Sequence, residues 1–133
     1  YLWVGMLTGV WKYSQISRSV HAKAHYYVDI AHRSSLLYAP ATLILAVLAY
    51  FSVWSAELNL AFVLINVLFF SFSILSYIVH GFLQDTTNQF RQPHKLGKLS
   101  LPVWLMRCAM LLLVIGEIVA TGGLLWGATL ALI

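Results

Sequence analysis

Residues 58–79 read LNLAFVLINVLFFSFSILSYIV. The stretch contains no charged side chain, and its polar members are two Asn, three Ser and one Tyr. An α-helix needs about 20 predominantly apolar residues to cross the hydrocarbon of a bilayer, and this run is long enough. Working outward, two further apolar stretches flank it, Leu36–Trp54 and Val103–Ile133. The later one is long enough to cross, and the earlier one reaches that length with modest flanks.

The whole chain has the same character. Of its 133 residues, 61% are hydrophobic and 9% charged. A soluble domain carries about 25% charged residues, so this chain lacks the polar surface that water requires. The sequence predicts an all-α integral membrane four-helix bundle with up-down topology and a short extracytoplasmic hairpin. It forms a single transmembrane domain over 1–133, with spans at 1–11, 35–55, 58–79 and 103–128. Tyr1–Trp11 is too short to cross alone. Because the chain opens on Tyr, this segment reads as the end of a helix begun upstream.

Charge orients the bundle. Every Lys and Arg (Lys12, Arg18, Lys23, Arg33, Arg91, Lys95, Lys98, Arg107) falls near the connections after the first and third spans, or in them. The connection around Ser55–Asn59 carries only Glu57. Basic residues near span ends mark the cytoplasmic side. The expectation is therefore a bacterial inner-membrane protein with cytoplasmic basic loops and an external C-terminus. The net charge of +4 reads as topology and attraction to anionic headgroups. No basic stripe resembles a nucleic-acid surface. Trp11, Tyr13, Tyr26, Tyr27, Tyr77 and Trp104 fall near the basic side, and Tyr50, Trp54 and Trp126 near the other, as interfacial aromatics do.

All five histidines, His21, His25, His32, His80 and His94, lie on the basic side. A helix over 20–33 puts His21, His25, Asp29 and His32 on one stripe. His32 at the start of the second span and His80 at the end of the third lie at equal depth. Three chemistries follow. His21, His25, Asp29, His32 and His80 are candidate ligands for a transition metal. His32 and His80 are candidate axial ligands for haem. His25, Asp29 and His32 are candidate acid–base groups for a small apolar substrate. The plainer account is that imidazoles sit at a headgroup interface while Asp29 pairs with Arg33 at i+4. Asp85 reads as a solvated loop carboxylate or a partner of Arg91.

Glu117 is the carboxylate at membrane depth. Such a group costs at least ~2.5 kcal/mol on insertion scales and so faces the bundle interior. It lies roughly 20 Å along its helix from Trp104, and Asn66 lies about 21 Å from His80, so the two are expected to share a hydrogen bond. Glu117 is then either a structural clamp or a fourth catalytic candidate. Ser100 reads as the cap of the last span and Gly81 as the end of the third. Gly123 and Gly127 form a small-xxx-small pair suited either to dimerisation or to packing within the bundle. Cys108, the sole cysteine, forms no intrachain disulfide and reads as a small buried thiol.

Two short elements carry a family resemblance. Gly5-Met-Leu-Thr-Gly9, followed by a polar stretch and then His25 ahead of an apolar span, resembles the opening of the hydroxylaminobenzene mutase family. Gly123-Leu-Leu-Trp-Gly127 resembles the terminal helix of those proteins. The resemblance implies a small multispan membrane enzyme that rearranges hydroxylaminoarenes to aminophenols without an evident cofactor, and it brings forward His25 and Thr8. From the residues themselves the first expectation is different: a subunit of a larger membrane assembly, with copies of itself or other membrane proteins, because four helices leave little room for a cavity. The intramembrane enzyme and the metal or haem carrier are the alternatives.

Overall fold

The computed structural model describes residues 1–133. It contains four helices, α1 (Leu2–Arg18), α2 (Tyr26–Phe51), α3 (Ala56–Leu83) and α4 (Val103–Leu130), and one two-stranded hairpin, β1 (His94–Leu96) with β2 (Leu99–Leu101). Three of the helices, α2, α3 and α4, are long and apolar enough to cross a membrane.

The boundaries show what local chemistry adds to hydropathy. Helix α1 runs past Trp11 to Arg18 because Lys12–Arg18 contains neither Gly nor Pro, so polarity alone does not stop it. The chain then breaks. Ala22 takes a left-handed φ of 52°, which ends the expected helix over 20–33. Helix α2 starts only at Tyr26, where the His25 ring accepts a bond from the Tyr27 amide at 3.4 Å and so acts as the N-cap. Ser55 caps α3 in the same way through the Leu58 amide, at 3.3 Å. Gly81 does not end α3. It lies buried within the helix, where an added Cβ would sit 2.9 Å from Trp11 and 3.0 Å from Val28. The stop comes at Gln84, in a left-handed conformation with φ 48°, whose amide bonds back to the His80 carbonyl at 2.9 Å. Ser100 lies in β2, paired with Lys95, and Pro102 takes the N-cap position of α4.

Glycines set the approach between helices. Gly5 lies against Leu36 and Gly9 against His32, so α1 and α2 pack with residue numbers running in opposite directions. Gly116 lies against Phe69 and Gly123 against Phe62, which gives the same relation for α3 and α4. Gly127 sits under Ser52 and Trp54, and Trp54 Nε1 donates to the Gly123 carbonyl at 2.9 Å. The Gly123/Gly127 pair is therefore used inside the bundle. At its centre Tyr38 stacks on Phe70, with ring centroids 4.2 Å apart, beside Leu45 and Leu124. Only 19 of 133 residues are buried. The outward surface is large and apolar, with Leu37, Leu64, Leu68, Leu112 and Ile118 all exposed. Cys108 is exposed too, not buried, because it falls on the outer face of α4.

Candidate functional site

The basic end is organised by a buried His–Asp pair that the sequence does not announce. The left-handed Gln84 turns the chain back on α3, and Asp85 Oδ1 comes to lie 2.8 Å from His80 Nδ1. The two side chains are 4% and 6% exposed, so neither exchanges this contact for water. The other Asp85 oxygen accepts the Gly97 amide at the tip of the hairpin. Gly97 has φ +60°, which the two-residue β1–β2 turn requires at its first position. One carboxylate thus joins the end of α3 to the hairpin. Burial opposes its ionisation, but the Gly97 amide and the His80 imidazole outweigh that and hold Asp85 below its ordinary carboxylate value. It is neither solvated nor paired with Arg91.

Three neighbours complete the setting. Tyr27, 3% exposed, lays its ring against His80 with centroids 5.0 Å apart, and its hydroxyl accepts the Gln89 amide. Ser76 donates to the Gln89 side chain at 3.1 Å. His94 is buried in β1 and bonds through Nδ1 to the Gln89 carbonyl at 3.0 Å. A carboxylate on Nδ1 favours the tautomer that carries its proton there, which in a neutral ring leaves Nε2 as the acceptor.

His80 opens onto a cleft of about 400 Å³ between α3, α4 and the hairpin. Apolar side chains dominate its walls, among them Phe72, Leu75, Met106, Met110 and Leu113. Its polar groups are few: Tyr38, Ser73, Ser76, Tyr77, His80 and Gln89. An apolar cavity with a handful of convergent polar groups is the usual form of a small-molecule site. Glu117 lies one helical turn beyond Leu113, within electrostatic range of the Tyr38 and Tyr77 phenols. Its Oε1 is buried without a hydrogen-bond partner.

The other candidates are dispersed. His21 lies exposed in the turn before α2. His25 is the α2 cap, and desolvation holds its pKa below the ordinary value, with Asp85 opposing that shift and His80 adding to it. Asp29 uses both oxygens on cations, Lys12 at 2.6 Å and Arg33 at 2.9 Å, so the expected i+4 pair forms and gains a second cation from α1. His32 turns to α1, bonds to the Gly5 carbonyl at 2.8 Å and covers Gly9. His32 and His80 therefore serve different hydrogen-bond partners, Gly5 and Asp85. No group of three or more His, Cys, Asp or Glu side chains is arranged to hold a metal ion. The physical reason is the break at Ala22, which dissolves the stripe, together with the ion pairs that engage Asp29. Thr8 is buried and donates to the Val4 and Gly5 carbonyls of its own helix.

The expected bond between Glu117 and Asn66 does not form. Asn66 is fully buried, donates to the Phe62 carbonyl at 3.0 Å and accepts from Thr121 at 2.9 Å. Thr121 lies one turn beyond Glu117, and its short hydroxyl reaches where the longer carboxyl points elsewhere. Fold and site together define the class: an all-helical chain with three helices able to cross a membrane and a polar, His–Asp-bearing end. Comparison with known protein families, curated proteins and solved structures gives no match.

Proposed function

We propose that this chain is an integral membrane protein, an up-down bundle whose α3–α4 cleft takes an amphiphilic, ring-bearing small molecule from the lipid, with His80 handling a proton on it. The observation that carries this reading is the buried His80–Asp85 pair at the polar end of an apolar lateral cleft. A carboxylate on Nδ1 fixes the tautomer and supports an imidazolium when Nε2 takes a proton. Tyr38 and Tyr77 offer hydroxyls along the wall, and the unpartnered Glu117 carboxyl lies one helical turn beyond Leu113, outside the lining itself. The apolar surface outside the small core fits hydrocarbon as its solvent. Lys/Arg placement supports the orientation with the basic loops cytoplasmic and the C-terminus outside.

Rearrangement of a hydroxylaminoarene to an aminophenol is one chemistry this cleft could host. It is an isomerisation: the N–O bond breaks, a ring carbon gains the hydroxyl and loses its proton, and the nitrogen takes up a proton to become the amine, so no external oxidant or reductant is consumed. The resemblance to the mutase family supports that choice of substrate, although Thr8 and His25 lie outside the cleft and the acid–base role falls to His80. A test uses 1-naphthol as probe, in equilibrium dialysis against detergent-purified protein. Saturable binding that His80→Ala weakens roughly tenfold, a loss of about 1.4 kcal/mol, and that His21→Ala leaves intact supports the cleft. Equal binding by all three proteins refutes it. Phenylhydroxylamine turnover, read by chromatography, tests the rearrangement.

A second reading is a subunit of a larger membrane assembly. It is favoured by Trp3, Leu7 and Val10, exposed at i, i+4 and i+7 on α1, a stripe suited to another apolar helix. Native mass spectrometry of the detergent-extracted protein reads its stoichiometry directly.

A further inference from the structure

A second cavity lies apart from the cleft, at the end of α1. It is an open basin of about 640 Å³ bounded by the last turns of α1, the 19–25 turn and the Gln84 cap of α3. Trp11, Ser14, Arg18, Ser19, Lys23 and His25 are among its lining residues, and no carboxylate lines it. Four basic residues belong to this part of the chain, and they divide cleanly. Lys12 and Arg33 are both engaged by Asp29. Arg18 and Lys23 form no salt bridge, and both face the basin.

The histidine adds a donor. His25 Nδ1 accepts the Tyr27 amide, so in the neutral ring the proton belongs to Nε2. Desolvation keeps this ring neutral more readily than an exposed imidazole. The carboxylate that acts on it, Asp85, is turned to His80 and Gly97. Helix ends do not decide the sign of the potential here. The partial negative charges at the ends of α1 and α3, about half a unit each, are only half offset by a similar positive one at the start of α2, so the helix termini leave about half a negative unit. Two full cationic charges remain. Trp11 sits at the edge of the same basin, stacked on Phe82 with centroids 4.4 Å apart, the kind of aromatic that sits at headgroup depth.

We infer that this basin binds the phosphodiester headgroup of an anionic phospholipid, with Arg18 and Lys23 as its cations, the Ser14 and Ser19 hydroxyls and His25 as neutral donors, and Trp11 against the glycerol and upper acyl chain. A lipid fits better than a free anion because the basin joins a cationic floor to the half-buried Trp11 ring, with the exposed Phe82 continuing the apolar surface. The inference rests on the reading that α2–α4 cross a bilayer, but it does not depend on the cleft or its chemistry.

The test is a lipid titration of the detergent-purified chain by native mass spectrometry, comparing phosphatidylglycerol with phosphatidylcholine of the same acyl composition. The expected result is a preference for phosphatidylglycerol of roughly tenfold or more, as two cations near an anionic headgroup provide. Arg18→Gln with Lys23→Gln should abolish that preference, and Arg91→Gln with Lys95→Gln, which removes two cations elsewhere on the basic side, should preserve it. Equal loss in the two double variants overturns the site in favour of diffuse attraction. Displacement of phosphatidylglycerol by millimolar inorganic phosphate overturns the lipid as ligand in favour of a free anion. Far-ultraviolet circular dichroism of each variant checks that the helices persist. Failure of the membrane reading is distinct from both: the chain would then stay monomeric in buffer without detergent.

Discussion

The two ends of the bundle are built by opposite means. At the end formed by Ser52–Ser55 and Gly123–Gly127 the chain turns sharply and closes by packing. Gly127 admits Ser52 and Trp54, Trp54 bonds to Gly123, Val53 donates to the Gly127 carbonyl at 3.2 Å, and Asn59 donates to the Ala49 and Trp54 carbonyls. Nothing titratable takes part. At the other end the connection is long, and side chains replace close packing. Asp85 joins His80 to the hairpin, Gln89 joins Tyr27 to Ser76, and the space between them opens as the cleft and the basin. A tight end fixes how the helices cross. An end held by a few polar bonds can leave cavities, and both candidate sites lie there.

This contrast can be broken most directly at Asp85. Asp85→Ala removes a buried carboxylate, leaving the His80 Nδ1–H without its acceptor and freeing the Gly97 amide. We expect a loss of ~3 kcal/mol, as hydrogen bonds to a buried charged group provide, read as a drop in thermal midpoint, with faster amide exchange confined to the hairpin. The effect should depend on pH. The folded Asp85 holds its proton less tightly than the unfolded chain. Its contribution is therefore complete above the ordinary Asp value of 3.8 and disappears as pH falls through the lowered value. Wild type and Asp85→Asn should converge in strongly acid buffer; a gap that widens there would show that the charge is not what holds the hairpin.

At the tight end the corresponding change is Gly127→Val. Its side chain would run into Ser52 and the Trp54 ring, an overpacking expected to cost about 2 kcal/mol. The loss should be insensitive to pH, unlike that at Asp85, and Trp54→Ala in the same chain should recover part of it, since contacting sites are not additive. Midway between the ends, Thr121→Val removes the donor to Asn66. Interhelical hydrogen bonds in membranes are worth about 0.6 kcal/mol on average, so a shift of that order in the unfolding midpoint is expected.

How much of each end could be read from sequence follows from the same contrast. Apolar runs and small residues report packing, so the three long helices and a close approach at Gly123 and Gly127 were legible, though not whether that approach was made within the bundle or to a second copy. The basic end depends on backbone reversals that composition does not record. Nothing in residues 20–33 marks Ala22 as left-handed, and without that break the histidines fall on one stripe. Gln84 is equally silent, and its left-handed turn is what delivers Asp85 to His80. The five-residue spacing from His80 to Asp85, across a helix end and before a Gly-bearing turn, is the one signal that could have suggested the pair. Depth matching brought Asn66 and Glu117 only to within about one turn of each other. The bond to Asn66 is made by Thr121, one turn further along the same face of α4, because counting residues from the span ends does not fix the axial offset of two helices to better than a turn.

Glu117 is where the smallest stability effect should accompany a clear functional one. A carboxylate that clamped α3 to α4 would be costly to replace, but that bond belongs to Thr121. Glu117 instead buries an oxygen with no partner, and an unsatisfied polar atom in a dry environment opposes folding. Glu117→Leu removes the unsatisfied oxygen and keeps similar volume, so the unfolding midpoint should stay unchanged or rise, within about 1 kcal/mol. Glu117→Gln keeps a polar group there and should fold as well as wild type. If the residue serves the cleft, both changes should weaken 1-naphthol binding while the helix content holds, and Gln should weaken it less than Leu because its carbonyl can still accept a hydrogen bond. A large destabilisation by Leu would assign Glu117 to the packed part of the bundle and return the inner end of the cleft to structure.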